Sequence, residues 1–250
     1  MSPVRTVLLA IPHYNDTERL GPFLSELLDK LPSRFEIVVS DDGSLPSEQR
    51  RLREMVGEFR SGRGGAVVRA IFATRNTGKG GAVRRAWDAA DPLMDLAFVD
   101  ADGAVSVAEF LRAEDFFVRQ ELHGVLFGSR VKMLGRTVNR SLTRHLTGRV
   151  FATLVSILGE VPAYDTQCGL KIIRRSAWDL IRAHQTTPGF AFDVELCLLC
   201  RAFGVGVVEF PVDWTDVPGS KVRLLRDSRR MALEVFRIRK RLQNLPSRPA

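Results

Sequence analysis

Four short apolar runs set the fold. TVLLAIP (6–12), FEIVVSDDGS (35–44), AVVRAIFA (66–73) and LAFVDAD (96–102) read as buried strands. Between them, LGPFLSELLDKL (20–31), SEQRRLREMVGEF (47–59) and GGAVRRAWDAAD (80–91) place apolar residues at helical spacing. Strand and helix alternating at this interval give βαβ units and a parallel sheet covered on both faces. Right-handed crossovers bring the C-terminal ends of these strands to one edge, where open α/β sheets bind ligands. The residues at those ends are PHYND, SDDGS, TRNTGKG and DADG, so polar, charged and glycine residues collect at one edge four times over.

The second half is less regular. SVAEFLRAEDFF (106–117) is read as a helix, HGVLFGSRV (123–131) as a strand, and residues 136–159 as a long basic amphipathic helical region. YDTQCGLKIIRR (164–175) is a loop entering a strand, FDVELCLLCRAFG (192–204) an apolar helix and VGVVEFPVDW (205–214) a strand. A chain of 250 residues with 45% hydrophobic content can bury a substantial core. No apolar run reaches the roughly 18 residues of a membrane span, and the N-terminus lacks a signal-peptide layout. Three cysteines point to a reducing compartment, so a cytoplasmic location is expected, with a peripheral place on the cytosolic face of a membrane left open.

Asp100 and Asp102 are two acids at the mouth of a buried strand. In an extended segment, residues two apart share a side. Two carboxylates so placed suit a hard divalent cation, Mg²⁺ or Mn²⁺, with waters and ligand phosphates completing the shell. Asp41 and Asp42 in SDDGS could meet a ribose or base edge, although alone the stretch reads as a turn. Gly78, Gly80 and Gly81 around Lys79 precede a helix N-terminus, which favours anions; the spacing is not that of a Walker loop. Arg130, followed by Arg136, Arg140, Arg144 and Arg149 among apolar residues, suits a phosphate on a greasy tail. Cys197 and Cys200 are C-x-x-C inside an apolar helix and read as core. His13 is the one histidine at the ligand edge.

The net charge of +8 implies an acidic partner. Much of it lies in the tail, where Arg223, Arg226, Arg229, Arg230, Arg237, Arg239, Lys240 and Arg241 face only Asp227 and Glu234. Leu224, Met231, Val235, Ile238 and Leu242 form one stripe. Such a helix either lies on an anionic membrane or packs on the domain with a solvated basic face. The aromatic interleaving of nucleic-acid binders is missing, and no nucleic-acid partner is expected.

The segments IPHYND, VVSDDGS, NTGKGGAVRRA, FVDADGA, GSR, YDTQCGLKIIRR, FAFDVELCLLCRAFG and VEFPVDWTDVPGSKV, in this order, resemble the family 2 glycosyltransferases, and within them the enzymes that glycosylate dolichyl and other polyprenyl phosphates. The resemblance covers roughly residues 7 to 222. It implies a single α/β domain of GT-A type, a Rossmann-like mixed sheet flanked by helices, with a nucleotide-binding and an acceptor half. The catalytic domain would then span 1–222, and 223–250 would be a basic amphipathic helix and tail. It implies inverting transfer of a hexose from a nucleotide sugar, UDP-glucose favoured over GDP-mannose, to a polyprenyl phosphate. A soluble enzyme acting on a hydroxyl acceptor is the alternative. It further implies metal at Asp100 and Asp102, and nucleotide contacts from Pro12, Tyr14, Asp41, Asp42, Lys79 and Gly80. Arg130 and Arg140 would hold the acceptor phosphate, and Ser220 and Lys221 would close over the diphosphate. A hydroxyl acceptor would need a base, for which Asp193 or Glu195 is the candidate.

Overall fold

The computed structural model describes residues 5–60, 65–131, 135–139, 163–217 and 224–243. The strands are β1 (Val7–His13), β2 (Phe35–Asp41), β3 (Val67–Phe72), β4 (Asp95–Val99), β5 (Val125–Ser129), β6 (Val138–Asn139), β7 (Leu170–Ile173), β8 (Val207–Pro211) and β9 (Trp214–Thr215). The helices are α1 (Thr17–Lys30), α2 (Pro46–Arg60), α3 (Lys79–Asp88), α4 (Val107–Arg119), α5 (Arg175–Ile181), α6 (Phe192–Ala202) and α7 (Leu224–Gln243).

Seven strands form one sheet in the order β3-β2-β1-β4-β7-β5-β8. The first four run parallel, as the βα alternation requires, while β7 inserts antiparallel between β4 and β5. β8 pairs parallel with β5, and β6 pairs with β9 in a separate ribbon. The strand order reverses between β1 and β4, the switch point at which α/β sheets open a crevice at their C-terminal edge.

Strand residues alternate between two cores, as the pleat dictates. Leu9, Ile11, Ile37 and Val39 pack with Leu24, Leu27, Leu52 and Phe110 on the face covered by α1, α2 and α4. Leu8, Ala10, Leu96 and Phe98 pack with Val83, Trp87, Trp178 and Phe192 on the face covered by α3, α5 and α6. The second face is built on aromatics. Trp87 meets Trp178 edge-on at 4.9 Å, and Phe98 and Phe192 lie at 6.1 and 5.9 Å from Trp87. The Trp87 indole N–H donates to the Ala97 carbonyl, which leaves that polar atom satisfied in the core.

Two expectations change. β4 ends at Val99, so Asp100 and Asp102 lie in the turn beyond it rather than in extended strand. The helical reading of 136–159 does not hold at its start, because Val138–Asn139 is a strand paired with Trp214–Thr215; residues 140–162 lie outside the described residues. The stripe on α7 is real but packed. Val235 and Ile238 are buried against Ala191, Val194 and Leu198, with Met231 and Leu242 beside them. That face docks on α6 and is closed to a membrane. No helix among the described residues is long and apolar enough to cross one.

Candidate active site

The β4 turn supplies the carboxylates. Gly103, at φ +68°, reverses the chain, and Asp102 accepts a hydrogen bond from Ala104 N (3.1 Å). The Asp100 backbone N–H donates to the Gly169 carbonyl (3.0 Å), tying this turn to the DTQCG loop that leads into β7. Room for the Asp100 side chain exists because residue 169 is glycine. A Cβ there would stand 2.3 Å from Asp100 Oδ2.

Asp100 is one link in a chain of opposite charges. Lys79 Nζ, at the first position of α3, lies 2.9 Å from Asp100 Oδ1 and 3.6 Å from Asp193 Oδ2 on α6. Asp193 Oδ1 in turn meets Lys171 Nζ of β7 at 2.8 Å. Lys171 is fully buried, and its ammonium also donates to the carbonyls of Thr166 and Cys168 (both 2.6 Å). Both lysines lie by the Phe98 ring, at 4.8 and 5.3 Å from its centre. Burial pulls the Lys79 ammonium down, but Asp100 and Asp193 outweigh it and raise it above its ordinary value. Burial works upward on Asp100, and the Lys79 pair overcomes it, so this carboxyl stays ionised. Asp102 goes the other way, pushed up by burial and by the charge of Asp100. Two half-buried carboxylates from one turn, one destabilised by the other, form a donor set that fits a hard divalent cation.

Arg130, just past β5, is forked on Asp165. Nε and Nη2 lie 2.7 and 2.8 Å from its two oxygens, and the Arg130 backbone N–H adds a third bond (2.9 Å). Asp165 is therefore held far below the usual carboxylate range; burial opposes this and the guanidinium prevails. The pair fixes the plane of Arg130, whose guanidinium carbon is 5.6 Å from the Trp214 ring centre.

The other predicted contacts divide. Pro12 and Tyr14 lie at the end of β1, with Tyr14 44% exposed at the crevice. Asp41 and Asp42 are buried, and their oxygens serve the protein. Asp41 accepts from Ser44 N and Gln49 Nε2 and bonds His13 Nδ1 at 3.0 Å. Asp42 accepts from Thr77 N, Thr77 Oγ1 and Gly78 N (2.6 Å), and so ties SDDGS to the turn that launches α3. His13 belongs to this brace. SDDGS forms a turn: Gly43 has φ +72°, and a Cβ there would lie 2.4 Å from the Arg75 carbonyl carbon.

Gly80 has a packing reason to be glycine. Its open side faces the protein, where a Cβ would come within 2.4 Å of Phe192 Cβ and 2.8 Å of the Thr187 carbonyl oxygen. The glycines of NTGKGG thus let the 187–189 loop and α6 approach α3, and that approach aims Lys79. Arg140, Ser220 and Lys221 lie outside the described residues. Asp193 joins the site but is 1% exposed and ion-paired on both oxygens. Glu195 is fully buried and accepts from Gln185 Nε2, Thr186 N and Thr187 N, with Arg241 of α7 against its other oxygen. Sequence reasoning missed Asp165, Gly169 and Lys171. A lysine inside the run LKII was the available signal, since a charge in a buried strand needs a partner.

Comparison with known proteins agrees with this architecture. Residues 9–181 match the model of glycosyl transferase family 2. The chain is 34% identical over 247 residues to a dolichyl-phosphate beta-glucosyltransferase of Saccharomyces cerevisiae, covering 92% of this chain and 73% of that protein. It is 30% identical to the enzyme of the same name from Dictyostelium discoideum, covering 95% and 76%. Among solved structures, glucosyl-3-phosphoglycerate synthase of Mycobacterium tuberculosis, in complex with Mn²⁺, UDP and glucosyl-3-phosphoglycerate, aligns with a TM-score of 0.66 at 15% identity, over 98% of this chain and 82% of that one. A mannosyltransferase of Pyrobaculum calidifontis, in complex with GDP-mannose and Mn²⁺, aligns with a TM-score of 0.65 at 18% identity, over 99% and 67%. With its mixed seven-stranded sheet, its switch-point carboxylates and a family match over most of its length, the chain belongs to glycosyl transferase family 2 and has the GT-A fold.

Proposed function

We propose that this chain is an inverting transferase that moves glucose from UDP-glucose to the phosphate of a dolichyl or other polyprenyl phosphate, with Mg²⁺ or Mn²⁺ as cofactor. One observation carries the choice of acceptor. Both carboxylates that could serve a hydroxyl acceptor as base, Asp193 and Glu195, are buried and engaged, at 1% and 0% exposure. A hydroxyl must lose a proton as it attacks, whereas a phosphate monoester with a second pKa near ~6 arrives largely ionised. The site supports an acceptor that needs positioning and charge compensation more than deprotonation. The curated relatives in yeast and Dictyostelium are named for transfer to dolichyl phosphate, in keeping with this.

The reaction is then a displacement at the anomeric carbon. An oxygen of the acceptor phosphate forms the new bond from the face opposite the nucleotide, and the bond from the sugar to the diphosphate breaks with its electrons leaving on the diphosphate. A divalent cation held by Asp100 and Asp102 would neutralise charge on that leaving group. Lys79, aimed by Asp193 and by the glycines of α3, adds a fixed positive charge beside Asp100. Arg130, its plane set by Asp165, contributes the charge that the acceptor phosphate meets. Pro12 and Tyr14 border the nucleotide at the end of β1. Lys171 is structural, holding Asp193 from below.

The test is a transfer assay with purified protein, a polyprenyl phosphate and labelled UDP-glucose or GDP-mannose in parallel, with a chelator and Asp102→Asn as controls. Metal-dependent label in the organic phase from UDP-glucose alone is the expected result. Label from GDP-mannose alone would correct the donor. No lipid label from either, with UDP binding intact, would overturn the acceptor.

A further inference from the structure

We propose that the outward face of α7 is a membrane-docking surface, with Leu233 and Phe236 entering the headgroup region of an anionic bilayer. This is the face opposite the stripe singled out in the sequence, because that stripe is spent on α6. Residues 233, 236, 237 and 240 follow the spacing i, i+3, i+4, i+7 and share one side of the helix. Leu233 is 59% and Phe236 60% exposed, and Arg237, Arg239 and Lys240 beside them are exposed too. Neither side chain belongs to the cluster that docks α7 on α6. Ringed by cations, they match a surface that is negative outside and apolar a few ångströms in. Over its whole length α7 carries seven basic residues and two acidic ones, Asp227 and Glu234. An acidic protein would satisfy the charges but would leave the phenylalanine without a reason.

Position supports the same partner. Among the described residues, the 186–189 loop lies between α7 and the Lys79 end of α3. Arg241 and Glu234 lie against that loop on one side, and Gly78 and Gly81 lie against it on the other. A bilayer meeting α7 is thereby brought beside the site, where a lipid-borne phosphate would need to be. This last step rests on the acceptor proposed above; the docking itself does not.

The experiment is flotation of the full chain with phosphatidylcholine vesicles, with and without phosphatidylglycerol. It compares wild type, Leu233→Ser/Phe236→Ser and Arg237→Ala/Lys240→Ala, each checked for unchanged thermal unfolding. Binding to the anionic vesicles only, weakened by salt and reduced by about 10-fold or more in either double variant, is the expected result. Phe236→Trp should shift its emission to the blue on adding anionic vesicles, beyond any shift in wild type, whose Trp87 and Trp178 are already buried and whose Trp214 is half-buried. Equal binding by wild type and Leu233→Ser/Phe236→Ser, no binding by wild type, or an unmoved Trp signal would each overturn the proposal. A short-chain, water-soluble polyprenyl phosphate separates this from the function itself. Turnover of that acceptor should survive in Leu233→Ser/Phe236→Ser while turnover of vesicle-borne acceptor falls. If wild type fails on the soluble acceptor, the acceptor reading is wrong whatever the vesicles show.

Discussion

Gly169→Ala tests the site through a single methyl group. The added Cβ would lie 2.3 Å from Asp100 Oδ2, 2.6 Å from Cγ and 2.9 Å from Cβ. Carbon and oxygen without a covalent bond settle at about 3.3–3.6 Å, so one of the two must move by about 1 Å. The backbone of residue 169 is fixed by its carbonyl bond to Asp100 N and by the adjoining strand β7, so the carboxylate is the part that yields. It cannot yield freely, because Oδ1 is held by Lys79. A displacement of about 1 Å in a group that orders the reacting atoms costs up to about 10²-fold in turnover. Residue 169 does not have the left-handed backbone that penalises alanine, so stability should fall little beyond the local rearrangement. Three measurements decide: transfer rate, Mn²⁺-dependent UDP affinity by calorimetry, and Tm. The expectation is a loss of roughly 10²-fold in rate, a clear loss of metal-dependent affinity and a fall of only a few degrees in Tm from overpacking against Asp100 Cβ. Rate and affinity within twofold of wild type, with the variant folded, would refute the claim that Asp100 must sit where it does.

Asp193→Asn removes the counter-charge of fully buried Lys171 and should cost about 3–5 kcal/mol in stability, a fall of roughly 10 °C in Tm, while the acid limb of the pH–rate profile keeps its shape. Loss of that limb at unchanged Tm would make Asp193 a base after all. Asp165 is depressed in the folded protein, so its contribution is complete above the unfolded value of about 3.9, begins to decline there, and is lost only as pH falls on toward the much lower folded value. The gap between the urea midpoints of wild type and Asp165→Asn should be constant from neutral pH to about pH 5 and narrow steadily below about pH 4; a gap constant down to pH 3 would count against the Arg130 fork. Arg241→Ala cuts the link from α7 to Glu195 and loosens the loop behind Lys79, and it should weaken UDP binding by about 0.5–2 kcal/mol; unchanged affinity would mean that the loop holds itself.

The half of the fold that follows local rules was legible. Strands and helices up to β4 show in the sequence because each buries one face with a regular period, and chain topology then brings their ends together. What was not legible depends on contacts across long separations. β7 reads simply as a strand, yet its antiparallel place between β4 and β5 is decided by pairing over some seventy residues, as in Val99 with Leu170. Asp100 and Asp102 were correctly placed at a strand mouth, but the reason they meet is a turn rather than the pleat. The hydrogen bonds by which Asp41 and Asp42 brace two loops were not legible, because their partners Gln49, Thr77 and Gly78 come from separate elements. The α7 stripe was visible as a pattern, and only the packed structure says that α6 covers it.

The linked charges explain why such a polar site is tolerated at the edge of an apolar core. Asp102, Asp100, Lys79, Asp193 and Lys171 alternate in sign with one exception, the two acids at the open end. Each inner charge is flanked by its opposite, so the low dielectric that makes a lone buried ion prohibitive instead strengthens the pairs. The inner links come from β7, α6 and α3, which places Lys79 by the packing of the whole second core face rather than by a flexible loop. The imbalance is left where solvent and ligands enter, at Asp100 and Asp102. Compensation inside and one acid in excess at the open end, where Asp102 stands beside Asp100, are what a site needs if its last charge is to be supplied by a cation that arrives with a diphosphate.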